Sequence, residues 1–292
     1  MEMGDVEIGI GLPAAIPGVN RAQLLGWARG ADQRGFSTLG VIDRLVYPNI
    51  EPLSALTAAA AVTERIRLTT AILLAPLRAN GALFAKQAAS LQILSEGRLV
   101  LGLAAGARQD DFDASALDFH TRGRRFNALL EDIRRIWEGE ARGFAGAIGP
   151  DLGRVGPPPI LVGGTSDAAI RRAARYGTGW IAGGGGPEAF AASAQKVRDA
   201  WSSAGRDGPP RLAALAYFAL GTDARAHADR YLKDYYAFGG PYAERVASSA
   251  LVDDAKIRAA IAAFQEAGCD ELILFPCNPD PSQVDLLAGI AL

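Results

Sequence analysis

The sequence repeats one pattern eight times: a short apolar run, then a stretch with helical spacing. The runs are Glu7–Leu12, Thr38–Ile42, Arg67–Leu74, Leu99–Ala104, Ile160–Gly163, Trp180–Ala182, Leu212–Leu220 and Leu272–Pro276. They are rich in Leu and β-branched residues and lack clean polar–apolar alternation, as strands covered on both faces should. Between them, apolar residues recur at three- and four-residue steps. Phe126, Leu129, Leu130, Ile133 and Trp137 form one such face, and Leu83, Phe84, Gln87, Leu91 and Leu94 form another, with Asn80 placed to cap it. A third, with Ile257, Ile261 and Phe264, stops at Gly268.

Eight strand–helix units in series predict an α/β chain closed into a single (β/α)8 TIM barrel, one domain over residues 1–292. No linker rich in Pro, Ser or charge divides it. Residues 139–158 read as a long loop between units four and five. Irregular segments near 107–121 and 238–253 are expected as inserted loops at the C-terminal face of the barrel, the second as a lid or substrate loop.

Composition removes several classes of function. A net charge of −2 with signs interspersed gives no electrostatic case for nucleic acid or a membrane surface. Runs such as Ala58–Val62 and Ala71–Leu77 are too short to span a bilayer. The opening "MEMGDVEIGIGLP" lacks a basic leader, and two cysteines, Cys269 and Cys277, make no disulfide framework, so a cytoplasmic setting is expected. Two distant histidines, His120 and His227, offer no zinc pattern.

In a barrel the chemistry sits where the strands end. At the fifth end, "ILVGGTSDAAI" places Gly163, Gly164, Thr165 and Ser166 before a helix whose first amides face outward. That is either a plain N-cap or a seat for an anion such as phosphate. It is not a Walker loop, and no GxGxxG fingerprint occurs. At the fourth end, "GLAAGARQDDF" sets Arg108, Asp110 and Asp111 after small residues, with no third carboxylate spaced for a divalent ion. The Gly183–Gly186 run, Gly184 included, is a flexible turn or a bare surface for a flat ring or a phosphate. Asp43, emerging from an apolar strand, is either a satisfied barrel-top residue or an active-site group. Tyr47, Tyr217, Phe218, Tyr235, Tyr236, Phe238 and Tyr242 are core or lid aromatics, some able to line a substrate pocket.

Taken together, "GFSTLGVIDR", "RIRLTTAILLAPLRANGALFAKQAASLQILSEGRLVLGLAAG", "RGRRFNALLEDIRRIWEG" and "PPPILVGGTSDAAIRRAARYGTGW" resemble the bacterial luciferase-like family of flavin- or deazaflavin-dependent oxidoreductases, from about residue 6 to 276. The resemblance implies a cytoplasmic oxidoreductase on a TIM-type barrel that holds reduced FMN or coenzyme F-420 at the strand ends. It implies that Gly163, Gly164, Thr165 and Ser166 hold the terminal phosphate, and that a non-proline cis peptide at Ala71–Ile72 lies behind the ring. Arg78, Gly106, Arg108 and Asp111 match positions lining the rest of the cleft.

One departure stands out: Arg44 follows Asp43 where many relatives carry a catalytic His. Arginine cannot act as a general base. It can hold an anionic substrate or enolate, while Asp43 is left as the proton-transfer group if burial raises its pKa. The expected activity is a monooxygenase using reduced FMN from a separate flavin reductase, with O2, on a small organic substrate. The alternatives are an F-420-dependent dehydrogenase or reductase and a non-catalytic flavin-binding protein. Small-residue stretches at Ala58–Ala61 and "LFAKQAASL" suggest close packing in a homodimer.

Overall fold

Strand pairing follows the chain order. The computed structural model describes residues 5–144 and 146–292. Among these, β1 (Glu7–Gly11), β2 (Thr38–Val41), β3 (Arg67–Leu74), β4 (Leu99–Ala104), β5 (Ile160–Gly163), β6 (Gly179–Ile181), β7 (Arg211–Phe218) and β8 (Glu271–Pro276) form a closed parallel barrel. β8 returns to β1 with Glu271 opposite Glu7 and Leu274 opposite Ile10. Every strand is buried along almost its whole length, which is why the runs show no alternation.

The barrel is wrapped by α1 (Arg21–Arg34), α2 (Pro52–Ala60), α3 (Gly81–Leu94), α5 (Arg122–Trp137), α6 (Asp167–Tyr176), α7 (Pro187–Ser203), α8 (Ala224–Tyr235), α10 (Asp254–Glu266) and α11 (Ser282–Ala291). Local chemistry sets their ends. Asn80 Oδ1 accepts from Leu83 N at 3.0 Å, and Asn20 and Gln23 form a capping box at α1. Inside the barrel, the ring of Phe275 fills the space above β1 and β2. A Cβ on Gly11 would stand 2.3 Å from it, so only glycine fits there.

The two segments expected to be irregular carry short helices instead. α4 (Gln109–Ala114) and a 3-10 turn at Phe119–Thr121 lie in the first, and a 3-10 turn at Ala237–Gly239 and α9 (Pro241–Ser248) lie in the second. Among its described residues, the 139–158 segment holds no helix and only an isolated bridge between Ala141 and Ala147, and it connects α5 to β5. Of the small residues expected at a twin subunit, Ala59, Ala60, Ala85, Ala88 and Ala89 are buried against the chain's own core, while Ala58 is half-buried and Ala61 exposed.

Candidate active site at the strand C-termini

Two clusters form where the strands end, joined by β3. The first gathers the ends of β2, β3 and β4. Asp43 Oδ2 accepts from Leu74 N at 2.9 Å and from Arg78 Nη2 at 3.1 Å. Burial pushes the Asp43 carboxyl above its ordinary range, against the pull of Arg78. Arg78 also pairs with Glu51 at 3.3 Å. Arg44 donates from Nε to Asp111 Oδ2 at 3.1 Å and from Nη2 to Val46 O at 2.8 Å. The other Asp111 oxygen accepts from Leu45 N and Val46 N at 3.1 and 2.7 Å. Tyr47, Tyr235 and Phe238 surround the Arg44 guanidinium at 5.5 to 5.9 Å.

Arg108 is held similarly. It clamps Asp110, reaches Tyr235 O at 3.3 Å and lies 3.8 Å over the Phe238 ring. That bond to Arg108 holds the Asp110 carboxyl below its ordinary range. Asp110 and Asp111 are therefore spent on arginines. Among the described residues, no group of three or more His, Cys, Asp or Glu side chains gathers as a metal site.

The second cluster joins the ends of β3, β5 and β6. The Ala71–Ile72 peptide is cis, at a register shift between Thr70 and Leu73 where β3 pairs with β4. Ala71 is fully buried, whereas Ile72 is partly exposed. Ile72 Cδ1 reaches across to β5, 2.6 Å from where a Cβ on Gly163 would sit and 3.5 Å from the same point on Gly183. Ser166 caps α6, its Oγ accepting from Ala169 N at 3.3 Å, and Thr165 and Ser166 are exposed. Trp180 Nε1 ties the turn down by donating to Gly164 O at 2.8 Å. Gly106 packs beside Leu74 and Phe112 with φ +78°.

A cavity of about 330 Å3 opens beside the second cluster, between the Gly184–Gly186 turn, Tyr217 on β7, Tyr236 after α8 and Tyr242 on α9. Tyr217 and Tyr236 hydroxyls lie 2.8 Å apart. Burial raises both phenols far above their usual pKa, so both keep their protons.

Sequence reasoning named the residues of both clusters but not the partners that fix them. Glu51 on Arg78 and Trp180 on Gly164 left no signal in the sequence. Tyr47, Tyr235 and Phe238 stand out in the sequence as core or lid aromatics, but not as the surround of Arg44.

These observations describe a (β/α)8 barrel with polar and glycine-rich strand ends and a cis peptide on the third strand. The luciferase-like monooxygenase family model matches residues 6–273. The chain belongs to that family.

Its members are oxidoreductases. An uncharacterised protein of Mycobacterium tuberculosis is 31% identical over 211 residues, covering 62% of this chain and 72% of that one. An F-420-dependent hydroxymycolic acid dehydrogenase of the same organism is 30% identical over 194 residues, 60% of this chain and 52% of that one. The chain thus spans about half the length of that dehydrogenase. Among solved structures, an F-420-dependent secondary alcohol dehydrogenase superposes with a TM-score of 0.78 at 18% identity over 98% of both chains. The FMN-bound oxygenating component of 3,6-diketocamphane monooxygenase from Pseudomonas putida does so at 0.71 and 19%, again over 98% of both. The barrel is thus shared by monooxygenases and by F-420-dependent dehydrogenases. Among the described residues, no helix is long and apolar enough to cross a membrane.

Proposed function

We propose that this protein uses the deazaflavin coenzyme F-420 to interconvert an alcohol and a carbonyl compound. The supporting observation is the open, side-chain-poor turn at the end of β5 beside a second one at the end of β6. Gly164, Gly184 and Gly185 have φ of +111°, +129° and +98°, a region that L side chains rarely adopt, and a Cβ on Gly184 would meet nothing within 4 Å. The exposed Thr165 and Ser166 stand at the start of α6, where unspent amides and the helix dipole favour negative charge. These residues fit the phosphate-bearing arm of a planar coenzyme.

On this reading Gly163, Gly164, Thr165 and Ser166 hold the phosphate, and Gly184 leaves room for the arm. Ala71 and Ile72 would support the ring, while Arg78, Gly106, Arg108 and Asp111 would line the rest of the cleft. When bound, F-420 supplies the hydride transfer. The protein's own part is binding, orientation and proton handling. Asp43 spends Oδ2 on Leu74 and Arg78, so Oδ1 is the atom at which it holds a proton. Arg44, locked to Asp111 and Val46, positions the mouth and takes no proton.

F-420 is preferred to FMN because a sequence relative at 30% identity is named as an F-420-dependent dehydrogenase. The structural likenesses, all at lower identity, bear on fold alone. A monooxygenase served by reduced FMN from a separate reductase is the second reading, since the same turn suits the FMN phosphate. Parallel titration of the protein with F-420 and FMN, oxidised and reduced, tests the choice. Tighter binding of F-420, by tenfold or more, is expected. A preference for FMN would replace the first reading with the second, and affinity for neither would remove both.

A further inference from the structure

Two tyrosine hydroxyls that share one hydrogen bond leave one proton over. Tyr217 is buried and Tyr236 half-buried, and the 2.8 Å contact between their hydroxyls is the one hydrogen bond either hydroxyl makes among the described residues. One O–H donates in that contact; the other still lacks an acceptor, and a buried donor without one is costly. Both side chains line the 330 Å3 cavity beside the Gly184–Gly186 turn.

The rest of the lining has one sign of charge. Arg245 is the single charged residue in it, and no Asp or Glu takes part. Among the described residues Arg245 forms no salt bridge; its neighbour Glu244 is engaged by Lys233 at 2.9 Å. Gly186 and Pro187, the cap and first residue of α7, also line the cavity; Pro187 has no amide hydrogen and Glu188 already occupies the first turn, so this helix start adds no anion seat. A guanidinium with no carboxylate partner, lying 5.5 Å from the Tyr242 ring, and a phenol proton with no protein acceptor both call for oxygen carrying negative charge.

The walls between these groups are aromatic and aliphatic. Tyr236 and Tyr242 meet edge to face at 5.5 Å, Tyr217 and Tyr236 at 6.1 Å, and Phe264 and Leu215 complete the sides. The volume is at the small end of ligand pockets.

We propose that this cavity is the substrate site and that it takes a small organic acid with a planar body: its carboxylate bound by Arg245, and a second oxygen, hydroxyl or carbonyl, accepting from the Tyr217–Tyr236 pair. The assignment as substrate site rests on the oxidoreductase reading above; the ligand class rests on the cavity itself.

Benzoate, 4-hydroxybenzoate and the neutral isostere benzyl alcohol are suitable probes, followed by tyrosine fluorescence or calorimetry on the intact protein. Saturable binding in the order 4-hydroxybenzoate, benzoate, benzyl alcohol is expected, with at least tenfold between an acid and the alcohol. Arg245→Gln, at an exposed position, should remove that tenfold preference. Tyr236→Phe should remove the added affinity of the 4-hydroxyl alone. Equal binding of acid and alcohol, an Arg245→Gln variant that keeps the preference, or no saturation by any probe would overturn the proposal. F-420 titration of the same samples separates the two ideas. Acid binding without coenzyme binding leaves the ligand class standing and removes the coenzyme reading; coenzyme binding unaffected by Arg245→Gln, with no acid binding, does the reverse.

Discussion

Arg44 and Asp111 form a buried ion pair across the barrel mouth, Nε to Oδ2 at 3.1 Å, with side chains 4% and 1% exposed. Such a pair is poor evidence of net stability, but removing Asp111 leaves buried Arg44 only the longer contact to half-exposed Asp110, at 3.5 Å. Asp111 also takes the amides of Leu45 and Val46, so it fixes the course of the chain leaving β2. Asp111→Asn keeps the shape and removes the charge. It should cost about 3–5 kcal/mol in urea denaturation. Arg44→Met combined with Asp111→Leu should recover much of that loss; if the double variant is as unstable as the single one, the pair is not the source of the cost.

A second ionic cluster closes the opposite end of the barrel. Glu271, nearly fully buried, accepts from Ser37 Oγ at 2.7 Å, Arg67 Nη2 at 2.8 Å and Arg211 Nη2 at 3.0 Å. Glu7 joins the same two arginines. Burial pushes the Glu271 carboxyl up, yet Arg67 and Arg211 outweigh it and the pKa lies below the usual 4.5; the Glu7 carboxyl is lowered likewise. A depressed carboxylate pKa gives stability that is present above the unfolded value and lost as pH falls through the folded one. Stability should therefore decline from about pH 4.5 downward. Glu271→Gln should lower stability at pH 7 and flatten that acid limb. An unchanged pH profile in the variant would show that other groups govern acid unfolding.

What could be read in the sequence was local. The β3, β4 and β5 boundaries are those of the apolar runs, because a strand covered on both faces is a continuous run. The caps at Asn80 and Ser166 follow from a side-chain oxygen three residues before the backbone N–H that donates to it. The site was legible as residue types at strand ends but not as contacts. Arg44 meets Asp111 across 67 positions, and Tyr217 meets Tyr236 only because α8 folds back over β7. α4 was missed since its six residues, "QDDFDA", carry one apolar anchor, Phe112, too few to show a period. The alanines of α2 stay ambiguous for a related reason: a small residue suits a helix pressed on its own barrel as well as one pressed on a twin.

We propose that a homodimer uses the outer face of α3, the helix that carries "LFAKQAASL", where Leu83 and Leu94 are 51% and 63% exposed. Leu83→Glu with Leu94→Glu should leave a folded monomer by sedimentation velocity if the protein is otherwise a dimer. A dimer that survives both charges would place its interface elsewhere.

Ile72 and Gly163 should be energetically coupled. Ile72 Cδ1 stands 2.6 Å from a Cβ built on Gly163, well inside contact distance. Gly163→Ala alone should cost about 1–3 kcal/mol through overpacking. Ile72→Val removes the offending methyl and, at a partly exposed position, should cost under about 1 kcal/mol. The double variant should then be more stable than the sum of the two changes allows, by about 1 kcal/mol or more in a double-mutant cycle. Simple additivity would mean that the backbone of β5 moves aside instead.

The phosphate seat is best tested by a substitution that spares the fold. Ser166 caps α6 by accepting from Ala169 N, and Asp is as good a cap as Ser, so Ser166→Asp should leave thermal stability nearly unchanged. What it adds is a negative charge at the mouth of the turn. At about 5 Å and an effective dielectric of about 40, repulsion of one phosphate charge costs about 1.7 kcal/mol, or about 20-fold in Kd. The loss should shrink as salt is raised, since the exposed turn is screened. A coenzyme form lacking the phosphate, such as riboflavin beside FMN, should bind the variant and the parent equally. If the phosphorylated form also binds both equally, the anion is held somewhere other than Gly163–Ser166; if the variant unfolds, the helix start rather than the ligand was changed, and Thr165→Asp, outside the cap, repeats the measurement.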